Sequence, residues 1–66
     1  MNGLARLREL GVLLMSTAKE LDKEMSNIDN PYIKAVVQVV SKVVFLSGAE
    51  LIYAVDVVGN AENTRS

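Results

Sequence analysis

The sequence predicts an all-α fold: an antiparallel helical hairpin of two long helices, self-associating into a four-helix bundle or a larger helical assembly. Three observations carry this expectation. Apolar residues recur at alternating spacings of three and four in both halves of the chain. A cluster that stops one helix and starts another, Ser26-Asn27-Ile28-Asp29-Asn30-Pro31, separates the halves. The stretch from Pro31 to Val58 is also too apolar for one small protein to hide alone. With 66 residues the chain makes one domain, near the lower limit at which a single core offsets chain entropy. The expected layout is a first helix over about 3–26, a turn at 27–30, a second helix over about 31–58 and a polar tail at 59–66.

In the first segment Leu4, Leu7, Gly11, Leu14, Ala18, Leu21, Met25 and Ile28 form a heptad seam. Its larger residues, among them Leu7, Leu14 and Leu21, are expected to carry self-association, while small Gly11 and Ala18 let a neighbouring helix approach closely. Arg8, Ser16, Lys19, Glu20 and Lys23 fall on the other side as a solvated face, with Val12 and Leu13 as exceptions.

Asn30 followed by Pro31 fits an N-cap with proline at the first helical position. A connection this short makes the helices antiparallel neighbours. In the second segment Ile33, Val37, Val40, Val44, Ser47, Leu51, Ala54 and Val58 form one 4-3 stripe. Val37, Val40, Val44 and Leu51 are its expected self-association residues, with Val40 and Val44 near the centre of the helix–helix interface. A second stripe of Val36, Val39, Val43, Leu46, Tyr53 and Val57 widens the apolar arc to roughly 200°, about twice that of an ordinary surface helix. Lys34, Gln38, Ser41, Lys42 and Asp56 define the polar face. Phe45 and Ile52 lie seven residues apart on that same face and are candidate contacts for a further protein partner.

Three further features bear on the second helix. Ser47-Gly48-Ala49 reads as a close helix–helix contact, because an interior glycine costs about 1 kcal/mol relative to alanine and close backbone approach is a common reason to keep it. Glu50 projects between the two apolar stripes, either as a polar device that fixes bundle register or as an edge residue reaching water. Gly59-Asn60 reads as a C-cap, with AENTRS beyond it as a fraying tail. Valine favours strands, and Ser47-Gly48 offers a turn, so a β-hairpin over 33–58 is the alternative. The doublets in VVQVV and SKVV follow a 3.6-residue period better than a period of two, and the Asn-Pro cap agrees with them.

Composition narrows the function classes. The chain has no cysteine and no histidine, so disulfides, thiolate metal sites, cysteine nucleophiles and imidazole chemistry have no residues to use. No cofactor, metal or nucleotide motif is present, and no nucleophile–base or carboxylate pair has a distinctive context, so no catalytic site is expected. A net charge of −1 gives no electrostatic drive toward nucleic acid or anionic lipid. Hydrophobic residues make up 50% of the chain and the mean hydropathy is +0.24, high for a soluble protein. Lys34, Lys42, Glu50 and Asp56 interrupt the apolar stretch, and no transmembrane span is expected. The segment LGVLLMSTA is not expected to act as a secretory leader, because Glu9 precedes it and KELDKE follows it without a cleavage site.

Leu21-Asp22-Lys23, Asn27 and Asn30-Pro31, followed by Ala35 and Gln38, resemble the loop region of type III secretion needle subunits. That resemblance implies a helical hairpin that polymerises into a hollow filament. The chain departs from the family pattern in its second helix, which lacks a polar C-terminal half. The expected function is therefore a non-enzymatic, self-associating interaction protein of the regulator or adaptor type, acting in the cytoplasm unless exported as an assembly subunit. A filament subunit and a membrane-peripheral protein are the alternatives.

Overall fold

The computed structural model describes residues 2–65, with side-chain environments from Gly3 to Ala61. It contains two helices, α1 (Asn2–Met25) and α2 (Pro31–Arg65), packed against each other, and no strand among the described residues. The helical reading of the valine-rich half is the one observed.

The turn is built as its residues dictate. At the end of α1 the amides of Ser26, Asn27 and Ile28 donate to the carbonyls of Lys23, Glu24 and Met25 at 3.3, 2.9 and 3.1 Å. These three-residue steps tighten the last turn and use carbonyls that the helix end leaves unpaired. Ser26 Oγ donates to the Lys23 carbonyl at 2.7 Å. Asn30 then caps α2: its Oδ1 accepts from the amides of Tyr32 and Ile33 at 2.9 and 3.1 Å. Its carbonyl accepts the first helical bond, from Lys34, at 3.0 Å. Pro31 stands at the position where a missing amide costs least.

The far end differs from the expected cap. Gly59-Asn60 does not stop α2, which runs on to Arg65. Glycine ends a helix by adopting a left-handed conformation, and no described glycine has a positive φ. The residues assigned to a frayed tail up to Arg65 therefore extend the helix; Ser66 lies outside the described residues.

The two helices meet along small residues. Ala18 and Val55 are the buried hydrophobic residues among those described, and Ser41 is the buried polar one. Gly11 and Gly48 are buried beside them. A Cβ at Gly48 would stand 2.6 Å from the Gly11 carbonyl oxygen and 2.9 Å from Cγ of Met15. At Gly11 it would stand 2.8 Å from Cγ1 of Ile52. One heptad away, Ser41 Oγ lies 3.2 Å from the Ala18 carbonyl and 2.5 Å from Oδ1 of Asp22. Its single proton serves these two acceptors, so the polar group in the seam is satisfied.

This geometry shifts the phase of the expected stripe. The seam of α2 runs through Val37, Ser41, Val44, Gly48, Ile52 and Val55, with Leu51 at its edge, rather than through Val40, Ser47 and Ala54. Val40 is 42% exposed and lies outside the contact with α1. The reason is steric. Small Gly11 and Ala18 draw α2 in close, and the small residues Gly48 and Ser41, seven apart, are the ones that face them.

Candidate interaction surface

Once α1 covers one side of α2, its opposite side stays bare. The Cα trace measures 55 × 15 × 12 Å, one layer of two helices side by side. On the outward side Tyr32, Val36, Val39, Val43, Leu46, Glu50, Tyr53 and Val57 recur at spacings of four and three, forming a second heptad seam. All eight are exposed, including Tyr53 at 63% and Val39 and Leu46 at 62% each. At 1.5 Å per residue this stripe is about 38 Å long. Glu50 is its one charged member. Along the C-terminal half of the stripe, Leu46, Ala49, Glu50, Tyr53, Ala54, Val57 and Val58 border a shallow apolar hollow.

The residues expected to carry self-association divide between the two faces of the hairpin. Leu14, Leu21, Val37, Val44 and Leu51 are half-buried along the contact between α1 and α2. Leu7 lies on the same side of α1 but remains exposed, and Val40 flanks the outward stripe. The two candidate partner contacts also separate. Ile52 is half-buried against the Gly11 backbone and belongs to the hairpin seam, not to an outward-facing patch. Phe45 is exposed and borders a second hollow with Asp22, Ser41, Lys42 and Leu46. Sequence reasoning recognised the outward stripe but left its members out of the association set. Its regular spacing, independent of the first stripe, was the signal that marks it as a separate face.

Charged groups lie mainly to the flanks. Arg8 Nε meets Asp56 Oδ1 at 3.1 Å, tying α1 to α2, and Arg6 meets Glu9 at the same distance within α1. Both pairs are well exposed and contribute at most about 1 kcal/mol each. Among the described residues no group of three carboxylates gathers to hold a metal ion. By length and composition, Pro31–Ala61 suffices to cross a membrane, and only 11% of its most apolar 18-residue window is buried within the hairpin. Mostly buried core helices of soluble proteins and signal sequences satisfy the same criterion. No protein-family model, curated protein or solved structure matches the chain.

Proposed function

We propose that this protein is a non-enzymatic interaction protein of the regulator or adaptor type, whose working surface is the outward stripe of α2 and whose first partner is a second copy of itself. The bare heptad seam carries the reading. A monomeric protein of 7.2 kDa ordinarily exposes about 4100 Å², whereas this hairpin exposes 5092 Å². The surplus is on the order of the ~800 Å² that each partner contributes to a standard stable interface. Two hairpins joined through α2 form a four-helix bundle with the valine-rich helices inside and the charged side of α1 in water.

The length and apolarity of α2 favour a second reading, in which lipid covers the stripe. Helices that lie on membranes are rich in Lys and Arg on the polar side. Here the solvated side of α1 mixes Glu9, Glu20 and Glu24 with Arg6, Arg8, Lys19 and Lys23, with no excess of basic residues beyond one, and Glu50 sits within the apolar stripe itself. A protein partner suits that balance better. Sedimentation in detergent-free buffer tests the proposal: a small closed oligomer is the expected result, and a stable monomer at micromolar concentration overturns it. Very large open assemblies would indicate a filament subunit, and recovery only with detergent or lipid a membrane-peripheral protein.

A further inference from the structure

We infer that two copies pair α2 against α2 in antiparallel orientation, about a two-fold axis beside Gly48 and Ala49, with Leu46 of each copy seated in the hollow of the other. The inference rests on reading the outward stripe as the self-association surface and adds the occupant's orientation and register. Residues 46, 49, 50 and 53 stand at i, i+3, i+4 and i+7, the four corners of a hole that accepts one knob from a facing helix. In this chain those corners form the N-terminal end of the apolar hollow on α2, which continues through Ala54, Val57 and Val58. A two-fold pairing makes the knob and hole reciprocal.

Seating Leu46 opposite Glu50 fixes every other layer. Val43 then faces Tyr53 of the second copy, so the aromatic ring meets a smaller side chain, and Val39 faces its Val57. Two separate features agree with this register. At the crossing point the flanking positions are Ser47 on one side and Ala49 on the other, each meeting its own counterpart, and both are small enough for close approach. Farther out, Lys42 of one copy lies opposite Asp56 of the other, twice over. Arg8 already holds Asp56 Oδ1 at 3.1 Å, and a carboxylate accepts several hydrogen bonds, so the added lysine extends an existing ion pair. A shift by one heptad places Lys42 opposite Ala49 and loses both pairs. The Ser47 hydroxyl of the second copy stands on the same flank as Glu50 and supplies a donor for the one charged group in the seam.

The chain contains no cysteine, so single cysteines report the register directly. Ala49→Cys is expected to give a covalent dimer on mild oxidation, as is Ser47→Cys on the opposite flank, each with helicity retained. Val39→Cys alone is expected to stay uncrosslinked, whereas a mixture of Val39→Cys and Val57→Cys crosslinks. Lys42→Glu, which sets two carboxylates against each other, should weaken association by about tenfold. A wild-type chain that stays monomeric removes the proposed function itself. A wild-type dimer in which neither Ala49→Cys nor Ser47→Cys crosslinks leaves that reading intact and overturns the antiparallel register, as does a dimer in which Val39→Cys crosslinks with itself.

Discussion

Gly48 sets how closely the helices of the hairpin approach, and its surroundings reverse the usual effect of an alanine. Within a helix, glycine to alanine normally stabilises by about 1 kcal/mol. At Gly48 the new Cβ would meet the Gly11 carbonyl at 2.6 Å, and a backbone atom moves only if the helices separate. Overpacking of that kind costs about 1–3 kcal/mol, so Gly48→Ala is expected to lower the urea midpoint. Gly11→Ala should also destabilise but less, because its Cβ would stand 2.8 Å from Cγ1 of Ile52 and 3.1 Å from the Gly48 carbonyl oxygen, a wider backbone approach than at Gly48. Gly59→Ala meets open space and should stabilise by up to about 1 kcal/mol. Equilibrium unfolding at one fixed concentration checks the order, and a Gly48→Ala chain as stable as the Gly59→Ala chain would refute the close contact. Ser41 presents the same constraint with a polar group. It is 2% exposed, and its bonds to Ala18 and Asp22 make Ser41→Ala worth about 0.5–1.5 kcal/mol in lost stability.

The two helices differ in how fully their placement was legible. The turn was readable to within a residue or two because its signals are local: Asn30 caps, Pro31 starts, and neither depends on distant contacts. Asn30→Ala should therefore lower stability by about 0.5–2 kcal/mol, with the loss largely recovered by Asp, another side chain that accepts from the same amides. Thermal unfolding of the two variants measures the difference. The phase of α2 was less legible. Hydrophobicity alone placed Val40 and Ser47 inside and Ser41 outside, whereas the close approach at Gly11 and Ala18 selects for size, and Ser41 and Gly48 meet that criterion. Mutation separates the two assignments. Val44→Asp puts a carboxylate in the seam with α1 and should cost several kcal/mol, with loss of helical circular dichroism. Val40→Asp is expected to leave the hairpin's helicity near that of the parent, and equal loss from both would return Val40 to the seam. The end of α2 was misread for a related reason: Gly59 permits a cap without compelling one, and the helix continues to Arg65.

At the scale of the whole molecule, one layer of two helices has little interior. Among the described residues the buried hydrophobic ones are Ala18 and Val55, neither of them large, so hydrophobic stabilisation within one chain is slight. On the proposed reading, covering the outward stripe supplies most of the burial that makes so short a chain stable, and folding is then linked to association by mass action. The unfolding midpoint should rise with protein concentration, by about 1.4 kcal/mol of apparent stability for each tenfold increase in a two-state dimer. Leu46 is the sharpest place to break the link, being 62% exposed in the single hairpin. Leu46→Asp should disturb contacts within the hairpin little while setting a charge where a second copy would bury it. Sedimentation is then expected to find a monomer, and thermal unfolding a lower midpoint that no longer moves with concentration. A Leu46→Asp chain that keeps the parental assembly mass and the same concentration dependence would place the association surface elsewhere on the hairpin.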